Sequence, residues 1–441
     1  MEILNQRKGY QGKKPDYIVP MNKLYWNCAF VLLMLSERAG AMPFGVFDPR
    51  SLAMGGTGVA SADANNAVFH NPALLAQYQY DEDEGRTSAF VLPSISARVS
   101  DTVEEIANFR DQDYDGQLSR AITAFNASNG ATQDAQAVLD ASLNLQDGLS
   151  RVSNGPVFAD ANVAFVIAIP SNKQGGAFLF NKRAVGDGSI TKTPEDEALL
   201  NAYVDTMQFL LTGQGAPSPD VIQDGQLIDQ TGNLTSAASA AGVVLTELGV
   251  AMAGEFSIFK RHVALGITPK FIKAETYATE SSATNSLDEN RDTNKRWDMT
   301  ADVGIAKTFG QVWNIGLTVK NIVPLNYTTN LSNKISIEPQ VRAGVAYKKS
   351  WGVLAFDLDM LENAAVGSGD KSQYSLFGAE WDFKWGQLRA GYNYNFSASG
   401  PVNKGMFSAG VQFTPFGMIL DLAYADNGTE RAAALQTGFQ F

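Results

Sequence analysis

The sequence predicts an all-β fold, a transmembrane antiparallel β-barrel of about 14 strands with an N-terminal plug and helical extracellular inserts. Three observations predict it. From Arg86 onward, segments of roughly ten residues alternate apolar and polar side chains, the length at which a tilted strand crosses a bilayer. The links between them alternate between short turns and longer stretches, and aromatic residues cluster beside the short turns. A soluble antiparallel sandwich also alternates, but it has no reason to alternate its link lengths.

The first 41 residues predict a secretory signal peptide. Residues 21–23 form a charged start, residues 24–35 an apolar core, and residues 39–41 a small-x-small cleavage pattern. A signal peptide that begins at Met21 fits the expected pattern better than one that begins at Met1, so the true start is predicted at Met21. The alternative is a signal peptide with a long n-region that begins at Met1. The single cysteine, Cys28, lies in this segment, so we expect no disulfide and no cysteine-based metal site in the mature protein.

Composition narrows the class of protein. Hydrophobic residues make up 45% of the sequence, yet no stretch of 18 or more apolar residues could form a spanning helix. The formal net charge of −12 argues against nucleic-acid binding, which needs basic patches. An acidic, exported chain fits the outer membrane of a Gram-negative bacterium.

Residues 42–85 predict a compact plug ahead of the barrel, which then covers residues 86–441. The segment is too irregular for a membrane strand and too short for a domain, and it contains glycines at 55, 56 and 58 that permit tight turns. Irregular backbone is tolerated at membrane depth only where protein surrounds it, as in a barrel lumen. We therefore expect this segment inside the barrel.

The strands near the C-terminus show the clearest alternation. In residues 352–360, Phe356 falls on one face and Asp357 on the other. The last strand also alternates, which predicts that Phe439 and Phe441 face lipid and form the C-terminal signal that the outer-membrane barrel assembly machinery recognises. With an even strand count, the C-terminus is expected in the periplasm.

Two long links predict helical inserts outside the cell, at 100–155 and 186–244. The second contains a helix over 194–211, opened by Thr193 and Pro194. Its apolar stripe either lines a groove for a hydrophobic ligand or packs as a lid over the barrel mouth. The stripe consists of Leu200, Tyr203, Val204, Met207, Leu210 and Leu211.

Charged residues on the inward face predict pairs across the lumen that hold the plug, in preference to an ion-selectivity filter. They are Asp160, Glu247, Glu255, Asp298, Asp302, Lys270, Lys320, Arg342, Asp357, Asp359, Glu380, Arg389 and Asp421. The two histidines, His70 and His262, do not form a catalytic pattern, so no enzyme is expected. No cofactor and no metal site is predicted.

One motif carries a family resemblance. The sequence Arg-x-x-Ala-Met-Gly-Gly-Thr-Gly-Val-Ala at 50–60, followed by Ala-Asn-Asn-Ala at 64–67 and Asn-Pro-Ala at 71–73, resembles the N-terminal hatch of the long-chain fatty-acid transporter (FadL-like) outer-membrane superfamily. The chain is most similar to its conjugal transfer protein TraF-like branch. The resemblance implies a plug that blocks the lumen and is fixed by Asn71, Pro72 and Ala73. The whole plug motif consists of Arg50, Gly55, Gly56, Gly58, Asn71, Pro72 and Ala73.

The expected function is that of a monomeric plugged channel for passive uptake of a hydrophobic small molecule, such as a fatty acid, from outer-membrane lipid surroundings. The alternative is a non-transporting outer-membrane component of a conjugal transfer or secretion apparatus, whose helical inserts dock partners. An open porin is the third interpretation.

Overall fold

The computed structural model describes residues 44–45, 48–63, 65–77, 89–153, 155–258, 261–282, 294–332, 334–364, 371–398 and 404–440. The predicted signal peptide and Phe441 lie outside the described residues. Among the helices that are described, none is both long and apolar enough to cross a membrane.

The N-terminal segment, residues 48–77, forms three short helical turns. Helix α1 spans Pro49–Ala53, and the Asp48 side chain caps it by accepting a 2.8 Å hydrogen bond from Ser51 N. Helix α2 spans Ala67–His70, and a 3-10 helix spans Pro72–Ala76. Proline at the first position of α1 and of the 3-10 helix fixes the backbone where no helical N–H partner is needed.

Fourteen antiparallel strands close into a barrel, because β1 pairs with both β2 and β14. The strands are β1 Ala89–Ser100, β2 Val157–Ile169, β3 Gln174–Thr191, β4 Ala237–Ile258, β5 Arg261–Ser282, β6 Asn294–Phe309, β7 Trp313–Lys320, β8 Gln340–Lys349, β9 Gly352–Asp359, β10 Tyr374–Phe383, β11 Gly386–Asn395, β12 Gly405–Phe413, β13 Met418–Asp426 and β14 Glu430–Gln440. The strand count predicted from the alternation is confirmed.

Side chains alternate between a buried inner face and an exposed outer face. In β13, Leu420 and Leu422 are exposed while Asp421 and Ala423 are buried. Successive side chains of a strand point to opposite faces, so leucine, isoleucine, valine and phenylalanine recur on the outer face of the described strand residues. An apolar outside and a polar inside are the pattern of a transmembrane barrel.

The links divide the barrel into two ends. At the turn end, strands are joined by segments of a few residues, such as 310–312, 350–351 and 384–385. At the insert end, the links are longer, except for residues 427–429 between β13 and β14. The predicted alternation between short and long links is therefore confirmed, except for the link at residues 427–429. Exposed tryptophans mark the turn end: Trp313, Trp351 and Trp385.

The insert end carries four longer helices: α3 Asp101–Gln112, α4 Tyr114–Ala127, α5 Thr132–Ser153 and α6 Pro194–Thr212. The helix predicted over 194–211 is confirmed. Thr193 Oγ1 caps it by accepting a hydrogen bond from Asp196 N, and Gly213 ends it with φ of 74°. Helices α4, α5 and α6 share one hydrophobic core.

A β-hairpin in the link between β7 and β8 covers part of the lumen. Its two strands are Leu325–Thr328 and Lys334–Ile337. Tyr327 and Ile335 pack in one core with side chains of β3, β4 and β5, among them Val185, Val243 and Ile272. Those three residues lie on the buried inner faces of their strands, so the hairpin folds inward rather than outward.

Candidate functional site

The N-terminal segment contacts the inner faces of opposite walls. Helix α1 packs against β12, β13 and β14, whereas the 3-10 helix packs against β4, β5 and β6. The segment therefore crosses the lumen. All residues of α1, α2 and the 3-10 helix are buried.

Arg50 fastens α1 to the barrel through a chain of buried charges. Its guanidinium donates two hydrogen bonds to Glu380 on β10, Nε to Oε2 at 2.8 Å and Nη2 to Oε1 at 2.9 Å. Glu380 also accepts from Arg389 on β11 at 2.7 Å, and Arg389 pairs with Asp421 on β13 at 2.6 Å. Buried charges are tolerated only when paired in this way. These pairs join neighbouring strands of the wall and join α1 to the wall, whereas the predicted pairs across the lumen stay a prediction.

Three further wall residues bind backbone groups of the segment. Asp357 Oδ2 accepts hydrogen bonds from Gly58 N at 2.8 Å and Val59 N at 2.9 Å. Arg342 donates to Gly56 O at 3.2 Å, and Lys320 donates to Phe69 O at 3.2 Å. These contacts satisfy polar backbone groups in the turns of the segment and in the last turn of α2.

Asn71 is the most connected residue of the motif. Its Nδ2 donates to Val59 O at 2.9 Å and to Ile305 O on β6 at 3.1 Å. Its Oδ1 accepts from Ala73 N at 3.1 Å and so caps the 3-10 helix that Pro72 begins. One side chain thus joins two parts of the segment to the barrel wall. Asn-Pro-Ala is the part of the motif whose local structure is easiest to predict from the sequence, because an Asx cap followed by proline has a recognised geometry.

A second buried pair lies within the segment itself. His70 Nε2 is 2.8 Å from Asp48 Oδ2, which joins the end of α2 to the cap of α1. Gly58 lies against the imidazole, since a Cβ at this position would be 2.4 Å from His70 Cγ. Gly55 and Gly56 adopt φ of 68° and 95°, which disfavours other residues there. The motif glycines therefore serve turns and close contacts.

Inward-facing glycines on the barrel wall lie in close contact with the N-terminal segment. A Cβ at Gly391 would lie 2.0 Å from Gly55 N, one at Gly304 would lie 1.9 Å from Asn71 Oδ1, and one at Gly266 would lie 2.4 Å from Ala73 N. Such separations are shorter than any van der Waals contact, so only the absence of a Cβ lets the wall lie this close to the segment. We call these residues the glycine girdle: Gly175, Gly266, Gly304, Gly316, Gly344, Gly378, Gly391 and Gly410.

The glycine girdle was not predicted from the sequence. Its signal is present, because each of these glycines occupies an inward position of an alternating strand. Glycine inside a strand marks a close approach of another backbone. The alternation pattern alone, however, predicts only that such a glycine faces the polar lumen, and it says nothing about a contact with another backbone.

A cavity of about 160 Å³ lies beside the segment, on its insert-end side. Its apolar lining includes Phe44, Leu52, Phe158, Leu376 and Met406. Its polar lining comes from the insert-end parts of the strands and from the link after β9, and comprises Ser96, Arg98, Asp160, Arg183, Asp187, Arg342, Lys371, Ser372, Tyr374, Asn393, Asn395 and Glu430. The cavity residues are scattered from 44 to 432, so no local motif could have identified them.

The charges around the cavity neutralise one another. Arg183 Nε donates to Asp160 Oδ1 at 3.0 Å, and Arg342 Nε donates to Asp359 Oδ1 at 2.6 Å. Arg98 Nε donates to Glu430 Oε2 at 3.0 Å. Lys371 pairs with Glu362 at 2.9 Å, and Asp187 also has an interaction partner. The cavity therefore offers a mixed apolar and neutralised polar surface.

The apolar stripe of α6 faces other helices. Leu200, Tyr203 and Met207 are almost fully buried in the shared core of the inserts, and Tyr203 Oη also contacts Ile228 O and Gln230 N. Val204 is buried and Leu211 is packed partly against the core, whereas Leu210 is exposed. The stripe therefore packs within the core of the inserts, against side chains of α4 and α5. A ligand groove and a lid over the barrel mouth both stay predictions.

Two other predicted features can be placed. Phe439 is half-exposed on the outer face of β14. His262 lies at the turn end, 3.6 Å from Glu255, far along the chain from the buried His70 pair. Within the described residues, no three His, Cys, Asp or Glu side chains are arranged to hold a metal ion.

Solved structures similar to the chain include hydrocarbon channels. A TodX monoaromatic hydrocarbon channel with a deltaS2S3 mutation matches 90% of this chain and 99% of its own, with a TM-score of 0.44 and 10% identity. The CymD monoaromatic hydrocarbon channel matches 91% and 99%, with a TM-score of 0.33 and 12% identity. The Pseudomonas putida toluene transporter TodX matches 91% and 99%, with a TM-score of 0.32 and 9% identity.

No curated protein sequence matches the chain. A family model does match it, that of the F plasmid transfer operon TraF protein, over residues 68–359. The match runs from α2 through the first nine strands and covers about two thirds of the sequence. It confirms the TraF-like branch that the sequence predicts. The chain belongs to the F plasmid transfer operon TraF protein family.

Proposed function

We propose that this protein is a plugged outer-membrane channel that passively admits a hydrophobic small molecule. The N-terminal segment is the plug, the turn end faces the periplasm, and the helical inserts lie outside the cell. The observation that carries the proposal is the cavity of about 160 Å³ that lies directly on the insert-end side of the segment. Ligand sites are concave and largely apolar, with a few polar groups that orient the ligand.

The plug accounts for selectivity against ions. A barrel of this strand number has a lumen wide enough for water unless something fills it. Here the segment crosses the lumen, and the hairpin at Leu325–Ile337 covers the inner faces of β3, β4 and β5. An ion would have to displace buried ion pairs such as Arg50 with Glu380, whereas a hydrophobic molecule can enter the apolar part of the cavity.

The orientation follows from the lengths of the links. Outer-membrane barrels have short periplasmic turns and longer outer loops. We infer that the C-terminus lies in the periplasm and that Phe439 belongs to the signal read by the barrel assembly machinery. The closed barrel has no free edge strand, which supports a monomer.

The test is uptake by cells. A Gram-negative host without comparable channels should take up radiolabelled toluene several times faster with the full chain than without it. Fatty acid and toluene should be compared in parallel. A folded protein in the outer membrane that gives no uptake of either would favour the alternative, a non-transporting component of a transfer apparatus.

A further inference from the structure

We propose that three outward-facing lysines of the barrel bind the phosphate groups of a lipid headgroup in the outer leaflet of the membrane. They are Lys182 on β3, Lys273 on β5 and Lys295 on β6, and we call them the lysine cluster. The proposal goes beyond the channel function. It rests on the orientation inferred above, in which the insert end lies outside the cell.

The lysine cluster lies on the outside of the barrel wall. Successive side chains of a strand point to opposite faces. The neighbours of Lys182 and Lys273 along their strands are buried on the inner face: Asn181, Arg183, Ile272 and Ala274. Lys295 belongs to the same face of β6 as Trp297 and Met299, which are both exposed. All three lysine side chains therefore project from the outer surface of the wall.

Strand pairing brings the three lysines close together. Lys182 of β3 pairs with Thr246 of β4, and Thr246 pairs with Lys273 of β5. Lys295 of β6 pairs with Glu275, which follows Lys273 on the same face of β5. Neighbouring strands lie about 4.8 Å apart, and a lysine side chain is long and flexible. The three side chains can therefore contact one headgroup that carries several negative charges.

The lysine cluster has a surplus of positive charge. Among the described residues of β3, β4, β5 and β6, Glu275 is the only carboxylate on the outer face. Its Oε1 is 2.5 Å from Lys273 Nζ, and its Oε2 is 3.9 Å from Lys295 Nζ. One carboxylate cannot neutralise three ammonium groups. The local charge is thus opposite in sign to the net charge of the chain, which is −12.

Arg431, also on the outer face near the insert end, has a different environment. Its Nε is 3.4 Å from Asp101 and 3.7 Å from Asp426. Its Nη1 is 3.7 Å from Glu104. Three carboxylates surround a single cation there, so this region does not attract an anion. The surplus of positive charge is therefore specific to the wall formed by β3 to β6.

The lysine cluster lies at the level of the lipid headgroups. Lys273 is 12 positions along β5 from Arg261 at the turn end, which corresponds to about 30 Å along the membrane normal for a strand tilted by about 40°. The apolar band of an outer-membrane barrel is about 25 Å tall and is bordered by aromatic residues. Trp297 pairs with Lys273 and is 63% exposed, as expected of such a border. Basic clusters at a membrane surface bind anionic headgroups.

The test is native mass spectrometry of the full chain in detergent micelles, titrated with diphosphorylated lipid A. A chain that combines Lys182→Gln, Lys273→Gln and Lys295→Gln should bind about 100-fold more weakly, and each single variant about fivefold more weakly. Lys307→Gln is the matched control, because Lys307 lies on the outer face of β6 at the turn end. It should change binding less than about twofold, because screening removes charge effects over that separation.

Glu275→Gln should act in the opposite direction. It removes the carboxylate that competes with a phosphate for Lys273 and Lys295, so it should tighten lipid A binding about fivefold. A network of ion pairs with a structural role alone would not bind lipid more tightly after this change. Binding of Glu275→Gln that is no tighter than that of the wild type would contradict the proposal.

Two further ligands identify the group that is bound. Lipid A without its phosphates should bind the wild type about 100-fold more weakly, and inorganic phosphate at the concentration of lipid A should not displace it. Equal binding of the two forms of lipid A, or wild-type affinity in the folded lysine variants, would overturn the proposal. Displacement by inorganic phosphate would overturn the assignment to a lipid. These measurements do not depend on transport, so their outcome is independent of the uptake that tests the channel.

Discussion

Arg50 and Glu380 are joined by two hydrogen bonds of 2.8 and 2.9 Å although 330 positions separate them in the sequence. The contact ties helix α1 to the tenth strand of the barrel. Glu380 also pairs with Arg389 on the next strand, so the position of α1 depends on the folded barrel wall.

Removing Arg50 should loosen the plug. Truncating one partner of a buried ion pair costs about 3–5 kcal/mol, and we expect the low end because Arg389 still neutralises Glu380. The check is urea denaturation of Arg50→Ala in micelles, followed by tryptophan fluorescence. Arg110→Ala is the control, because the Arg110 side chain is exposed on α3. Equal midpoints for the two variants would show that the pair is dispensable.

The glycine girdle should not tolerate a methyl group. Gly391→Ala would place a Cβ 2.0 Å from Gly55 N, so the plug must shift or the strand must bend. We expect a loss of about 1–3 kcal/mol and a rise in ion conductance across planar bilayers. Gly232→Ala is the matched control, because nothing lies within 4 Å of its Cβ. Unchanged conductance in Gly391→Ala would mean that close contact with the wall does not seal the lumen.

The outer and inner faces of β9 should respond differently to substitution. Phe356 packs against Phe377 of β10 with tilted rings and 4.8 Å between the ring centroids, whereas its neighbour Asp357 points inward to the N-terminal segment. Phe356→Arg puts a charge toward lipid at a cost of about 2–4 kcal/mol near the midplane. It should block folding into vesicles, while Asp357→Ala should fold with a loosened plug. Equal folding yields would refute the assignment of the two faces.

The inserts should lose stability in acid through Asp196. Burial raises the pKa of this carboxyl, but hydrogen bonds from Ser236 and Thr235 outweigh burial, so its pKa lies below the usual value. Its stabilising effect is therefore complete above the unfolded pKa of about 3.9 and is lost as pH falls through the lower folded pKa. Proteolysis of the inserts should accelerate only in that acid range.

Asp196→Asn should weaken this pH dependence and make the inserts more protease-sensitive at neutral pH. Losing the charge-assisted bonds to Thr235 and Ser236 costs about 1–3 kcal/mol. Asp205→Asn, an exposed change on the same helix, should leave both properties unaltered. An identical acid profile in Asp196→Asn would assign the transition to other carboxylates.

The sequence predicted the parts of the fold that depend on local periodicity. Alternation in β9, β11 and β13 identified strands and faces, and Thr193 with Pro194 identified the start of α6. It did not predict that the hairpin at Leu325–Ile337 folds into the lumen, because an inward and an outward loop have the same local pattern. The cavity was not predicted because the residues that line it come from both ends of the sequence and share no local pattern.

The central claim is that the barrel passes a hydrophobic molecule while its plug excludes ions. The most direct measurement compares toluene uptake by cells that express the full chain with the single-channel conductance of the same protein in planar bilayers. The account predicts uptake several times above the vector control, together with conductance close to background until residues 48–77 are deleted. A large conductance of the intact protein, or no uptake by correctly folded protein, would contradict it.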